Sequence, residues 1–237
     1  MTAHKFGDLA VELHLNGYSP IPVKPNSKKC VVKGWEKRHV ADPGEIEAWC
    51  RSKPGHGVGL VCARVVAVDI DIYDPDIAEE CGRMVVAFSD GIPPVRFGQR
   101  PKRLFLFRCE GEHFRKKVTP GFHIGDRSDN KVEILAKGQM FVAFGIHPHT
   151  RQPFDWPETS PTDIKLDDLP ALSERSAGNL LTELATLIKE LGGTDTGHAS
   201  RHDAIGHRRP KTAKQQEGRN GYLFSRACSM RKSGMGE

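Results

Sequence analysis

The hydrophobic positions of this chain change period several times, and each change marks an element. Phe6, Leu9, Ala10 and Leu13 recur at helical spacing and Asn16-Gly17 supplies a stop, which predicts a helix over 6–15. Residues 18–23 read as a strand, and Pro20 and Pro22 favour an edge position for it. A polar loop over 24–29 follows. Asp42-Pro43 then opens a short helix to about residue 50, with Asp42 as cap and Pro43 at the first helical position. Two strands are predicted over 57–62 and 65–71, then a helix from Asp74-Pro75-Asp76 to residue 82 or a little beyond.

The middle of the chain is richer in strands, predicted over 94–97, 103–108, 131–135 and 140–144. Residues 157–170, dense in Pro, Thr, Ser and Asp, read as surface loop. Leu180, Leu181, Leu184, Leu187, Ile188 and Leu191 mark an amphipathic helix over 177–191, ended by Gly192-Gly193. After a polar, basic stretch, helical spacing resumes over 220–232. Trp35 and Trp49 read as core and Trp156 as closing the back of a sheet. Helices mixed with short, turn-linked strands predict an α+β fold rather than a doubly wound parallel sheet.

Composition narrows the class. The 237 residues suffice for one sizeable domain and a smaller appendage. No apolar run approaches the ~20 residues of a membrane span, and the N-terminus lacks a signal-peptide core. Six scattered cysteines without a Cys-x-x-Cys argue against a zinc ribbon and fit the reduced thiols of a cytoplasmic protein. Residues 195–237 hold nine Lys/Arg against four Asp/Glu, which accounts for the whole net charge of +5. Within the neutral remainder, residues 95–117 carry eight basic side chains against Glu110 and Glu112. That patch suits either a polyanion-handling site or a solvated basic loop.

The candidate chemistry sits in Val65-Val66-Ala67-Val68-Asp69-Ile70-Asp71. In a strand, Asp69 and Asp71 point to the same side, about 7 Å apart along the chain. Paired carboxylates repel unless a cation lies between them, and Mg²⁺ or Mn²⁺ serving a phosphate-bearing substrate is the simplest such cation. A solvated strand end is the plainer alternative. Glu133, in the otherwise apolar Val132-Glu133-Ile134-Leu135, is a third acid, either buried with a partner or exposed on a half-solvated strand.

Over most of residues 5–157 the ordered motifs resemble the primase-polymerase domain of the archaeo-eukaryotic primase superfamily, in the form found in phage and plasmid replication proteins. They are Gly17-Tyr18-Ser19-Pro20-Ile21-Pro22-Val23, Gly34-Trp35, Gly57-Val58-Gly59-Leu60, Val68-Asp69-Ile70-Asp71, Val95-Arg96-Phe97-Gly98, Pro101-Lys102-Arg103-Leu104, Val132-Glu133-Ile134-Leu135 and Gly145-Ile146-His147-Pro148. The resemblance implies an RRM-like fold of mixed and antiparallel sheets flanked by helices, here with a C-terminal helical extension. It implies a DNA primase and DNA-directed polymerase that joins nucleoside triphosphates on a single-stranded DNA template by a two-metal mechanism.

By the same resemblance Asp69, Asp71 and Glu133 are catalytic metal ligands for two Mg²⁺ or Mn²⁺ ions. Lys102, Arg103 and Arg108 meet the triphosphate. Relatives often carry a histidine in this second motif; here Lys102 or Arg103 stands in its place, and the sequence leaves open which. His147 is either a turn residue capping backbone groups or a contact near the nucleotide or primer strand. Lys24, Lys28, Arg96 and Arg100 are candidate nucleic-acid contacts, with a solubilising loop the plainer reading of Lys24 and Lys28. A zinc pair of His147 and His149 is rejected, since no further Cys or His stands at suitable spacing.

The expected organisation is a catalytic domain over 1–175, an amphipathic helix over 176–193, a basic linker over 194–216 and, over 217–237, the start of a helical module. In relatives that module often leads to a helicase, so a replicative helicase is an expected partner; a membrane is not. Two other functions fit the residues: a catalytically weak nucleic-acid-binding module that recruits a helicase, and a metal-dependent nuclease.

Overall fold

The computed structural model describes residues 4–38, 40 and 42–197. Four helices form where the apolar spacing predicts them. α1 (Phe6–Leu15) buries Phe6, Leu9, Ala10 and Leu13 and ends at Asn16. α2 (Pro43–Ser52) and α3 (Pro75–Phe88) open alike: Asp42 and Asp74 accept the amides of Glu45 and Ile77, and proline fills the first helical position. α4 (Glu174–Glu190) is capped by Ser173, whose side chain accepts the Ser176 amide. Among the described residues no helix is long and apolar enough to cross a membrane.

The strands are β1 (Pro20–Val23), β2 (Gly57–Cys62), β3 (Val65–Asp71), β4 (Val95–Arg96), β5 (Arg103–Glu110), β6 (Lys117–Val118), β7 (Phe122–Ile124), β8 (Arg127–Leu135), β9 (Gln139–Phe144), β10 (Ala171–Ser173) and β11 (Thr194–Asp195). β1, β2 and β9 form a small antiparallel sheet with β1 at its edge. The larger sheet runs β10-β5-β3-β8-β7-β11, with β4 also on β5 and β6 on β8; only the β10–β5 pairing is parallel. The α+β reading holds.

β3 divides the interior because its side chains alternate between faces. Val66, Val68 and Ile70 join Phe105, Phe107 and Ile134 in a cluster covered by α3 and α4. Val65 and Ala67, on the other face, join Leu104, Leu106 and Leu135 in a second cluster with α1, β2 and β9. The amphipathic helix predicted over 176–193 therefore packs into the same core as the strands.

Several expectations change. The stretch over 157–170 is not only surface loop: Leu166 and Leu169 are buried in the second cluster, and Asn16 accepts the Leu166 amide. Strands β6, β7, β10 and β11 are too short to leave a period in the sequence. β11 lies inside the stretch expected as linker, because Thr194 and Asp195 pair with His123 and Phe122. Trp35 belongs to none of the hydrophobic clusters of the described residues. The helix predicted over 220–232 and the module over 217–237 lie outside the described residues.

One polar side chain ties three segments together beside the site. Asn130 is fully buried; it accepts the Tyr73 amide and donates to the carbonyls of Phe122 and Arg127. Asn130→Ala would remove the side-chain partner of three backbone groups, at least one of them fully buried. We expect it to lower the unfolding free energy by about 3 kcal/mol, read by urea denaturation, whereas Asn179→Ala, at an exposed position of α4, has little effect.

Candidate active site

Strand register, rather than any single residue, assembles the acids. β3 pairs with β8 so that Asp69 faces Glu133 and Asp71 faces Lys131, and it pairs with β5 so that Asp69 faces Leu104. β4 sets Arg96 opposite Leu104. Residues directly opposite share a face, so Arg96, Leu104, Asp69 and Glu133 form one row across four strands. Asp71 and Lys131 lie on the same face one step further along. At the other end of β3 this face is closed by the second core cluster; at the Asp end it opens.

Each acid has a cation. Lys102 Nζ lies 2.6 Å from Asp71 Oδ1, and Lys116 Nζ and Lys131 Nζ each lie 2.8 Å from Glu133 Oε1. Burial pushes the Asp69 carboxyl up to about 6; the charge of Arg96 offsets part of the rise, and Asp71 adds to it. Burial alone would raise Glu133, but hydrogen bonds from Lys116 and Lys131 outweigh it and hold that carboxyl below its ordinary range.

Neighbouring residues at positions 102 and 103 part company here. Lys102 reaches Asp71, and its ammonium sits 3.4 Å from the centre of the Tyr73 ring. Arg103 pairs with Ile70, so it points to the α3 side, where its Nη1 lies 2.8 Å from Glu79 Oε2. Lys102 is thus the second-motif cation beside the acids, and Arg103 is turned away from them. Arg108 is also out of reach: it shares the acid face but pairs with Val65, about 13 Å along β3 from Asp69.

Arg96 is not a surface contact. It is 9% exposed, its guanidinium lies 4.6 Å from the Phe154 ring centre, and it donates to the Val142 carbonyl. Burial lowers it to about 10, with the Asp69 charge acting in the opposite direction. Gly98 permits this packing, since a Cβ there would come within 2.6 Å of the Phe154 ring. Arg100 is exposed, stacked 3.6 Å from the Phe97 ring centre and ion-paired with Asp155 at 2.8 Å. Lys24 and Lys28 are exposed on the loop after β1; Lys28 lies close enough to Asp69 to lower it.

His147 fits its turn and also belongs to the site's surroundings. Its Nδ1 accepts the Thr150 amide at 3.3 Å, and its ring meets Phe154 edge-on at 5.3 Å. Burial and the charge of Lys28 push it down to about 4, so the imidazole is neutral at pH 7.

Two cavities flank the row. One of about 390 Å³ is lined by Asp69, Arg96, Lys28, Trp35, Phe141 and Phe154 among others. The other, about 610 Å³, is lined by polar side chains that include Glu133, Lys116, Lys131, His123, Ser128 and Asn130. Lys131 was legible in the sequence, two positions before Glu133 on the same strand face. Tyr73 carried no local signal, Lys116 was only one of eight basic residues over 95–117, and Trp35 read as core, because chain segments distant in sequence bring these side chains to the site.

Among the described residues no three His, Cys, Asp or Glu side chains converge closely enough to hold a metal ion. The carboxylates of Asp71 and Glu133 are instead engaged by lysines. The donor set itself suits a hard divalent cation: carboxylate oxygens, one of them desolvated and raised by like charge, on one sheet face.

The two shifted groups oppose one another in pH. Asp69 rises from 3.8 to about 6, so its contribution to stability is present at low pH and lost as pH rises through that window. His147 falls from 6.5 to about 4, so its contribution is lost as pH falls through nearly the same window. Asp69→Asn removes one arm. In divalent-free buffer the melting temperature of Asp69→Asn minus that of the wild type should grow from pH 4 to pH 6 and then level off. A constant offset at every pH would show that Asp69 is not desolvated.

The sequence also matches a described family. A family model described as bifunctional DNA primase/polymerase, N-terminal (Prim-Pol), covers residues 10–172. No curated protein matches the chain. The matched segment runs from α1 to β10 and contains the acid row and its lysines. With well over half of its 237 residues matched, this chain belongs to the Prim-Pol family of bifunctional DNA primase/polymerase N-terminal domains.

Proposed function

We propose that the chain is a template-dependent primase-polymerase that makes and extends primers from nucleoside triphosphates on single-stranded DNA, in phage or plasmid replication. Primase/polymerase-type nucleotidyl transfer is the chemistry of the family to which it belongs. The observation that carries the finer reading is the acid row with lysines at both flanks: Asp69 and Glu133 in register, and Lys102 on Asp71.

Asp69, Asp71 and Glu133 would hold two divalent cations, Mg²⁺ or Mn²⁺, which when bound lower the pKa of the attacking 3′-hydroxyl and neutralise the pyrophosphate leaving group. The protein's own residues do the rest. Lys102 stands where a triphosphate oxygen would exchange for the Asp71 carboxylate, so it stabilises charge that develops on the leaving group. Lys116 and Lys131 do the same for phosphates on the Glu133 side, where the polar cavity offers room for the growing 3′ end. Arg96, Leu104, Phe141 and Phe154 line the cavity beside Asp69 and give that end of the row a mainly apolar wall. Lys24, Lys28 and Arg100, all exposed, would contact backbone phosphates of the template. A replicative helicase is the further partner proposed.

The test is primer synthesis and extension on a single-stranded template with labelled nucleotides. Chelation should abolish product and Mg²⁺ or Mn²⁺ restore it. Asp71→Asn should lose synthesis while keeping its fold by circular dichroism. Template shortening in place of extension would favour a nuclease, and template binding without synthesis a recruiting module.

A second comparison separates adjacent residues. Lys102→Ala should lower kcat about 10²-fold, and lower the melting temperature as well because Asp71 loses its counter-ion. Arg103→Ala should keep kcat near the wild-type value and lower the melting temperature, because its ion pair with Glu79 lies behind the sheet. The reverse pattern would overturn the register-based assignment.

A further inference from the structure

The three tryptophans of this chain do not play the same part. Trp49 packs edge-on against Phe6 at 6.3 Å, in the second core cluster. Trp156 packs against Phe144 at 6.0 Å, and its indole N–H donates to the Ala143 carbonyl at 3.0 Å. Both serve the fold. Trp35 belongs to no hydrophobic cluster among the described residues and starts a 3₁₀ turn that buries none of its residues.

Its position is nonetheless specified. Gly34, at φ 68°, takes the left-handed conformation that turns the chain into this 3₁₀ segment. Trp35 then lines the 390 Å³ cavity together with Asp69, Phe141 and Phe154. The cavity has the size of a small-molecule site. The loop that carries Trp35 also brings Lys28 and Lys29 to the cavity lining, both exposed on it. A large half-exposed aromatic face, apolar side chains beside it, and ammonium groups on the same loop form a set with one natural complement. That complement is a flat aromatic heterocycle carried on phosphates.

We propose that Trp35 is a base-stacking residue: its indole takes one face of a nucleobase seated in the cavity beside Asp69, while Lys28 and Lys29 hold the attached phosphate. This deepens the primase-polymerase reading and rests on it for the purpose of the site, but the stacking is a binding property that stands without catalysis. The nucleobase can come from a free nucleoside triphosphate or from the template strand; the chemistry of the contact is the same.

Intrinsic fluorescence of the full chain tests it. Titration with deoxyadenosine triphosphate, with single-stranded oligothymidylate and with inorganic triphosphate separates the sources. We expect quenching by the nucleotide or the oligonucleotide, which also identifies the source, and none by inorganic triphosphate. Trp35→Phe should abolish most of the quench and keep binding near the wild-type affinity, followed by a labelled ligand. Trp35→Ala should weaken binding roughly tenfold. Wild-type affinity in Trp35→Ala, or quenching by inorganic triphosphate equal to that by the nucleotide, would overturn the assignment. Quench without primer extension would sink the polymerase reading and leave the stacking intact; extension without quench would do the opposite.

Discussion

Placing Asp69 opposite Glu133 with Asp71 on the same sheet face costs electrostatic free energy, and the surrounding structure is arranged to offset it. Asp69 bears most of the cost, since desolvation and the nearby carboxylates both raise it. Lys102 relieves Asp71, and Lys116 with Lys131 relieves Glu133. Those lysines come from β8 and from the residues just before β5 and β6. The acid row is therefore stable only if the whole large sheet is correctly paired. A fold chosen for stability alone would put apolar side chains there, as it does at Val65 and Ala67 on the same face.

Register also sets the reach of every neighbouring cation. One residue along β5 moves a side chain from the acid face to the α3 face, which is why Lys102 meets Asp71 while Arg103 meets Glu79. Four residues along β3 separate Arg108 from the chemistry although it shares the right face. Arg96 holds the acid row from the β4 side, its charge supported by Asp69 and its plane by Phe154.

Helices and long strands were legible because their apolar periods and caps are local, as at Asp42, Asp74 and Phe6-Leu9-Leu13. The acid pair was legible because alternation along β3 is local too, and family resemblance added Glu133. Pairing between strands is not local. Nothing near residue 102 or 103 says which faces the acids, and nothing near Arg96 says that a β4–β5 pairing will bury it. Trp35 was misread for a related reason: large aromatics are usually core, and only the tertiary arrangement leaves this one facing a cavity instead.

The same lysines that make the acid row foldable also constrain how it can be used. Two of the three carboxylates, Asp71 and Glu133, are engaged by three lysines, and Arg96 lies beside the third, Asp69, so the cluster has no negative excess and adding divalent cations alone would leave it strongly positive. A polyanion arriving with the cations restores the balance, because its phosphate oxygens can take over the lysines while the carboxylates turn to the metal. Under the proposed function the counter-ions of the resting state would become the phosphate contacts of the working state. The site would then favour cation and triphosphate together over either alone, which would suit a polymerase whose metals need be in place only when its substrate is.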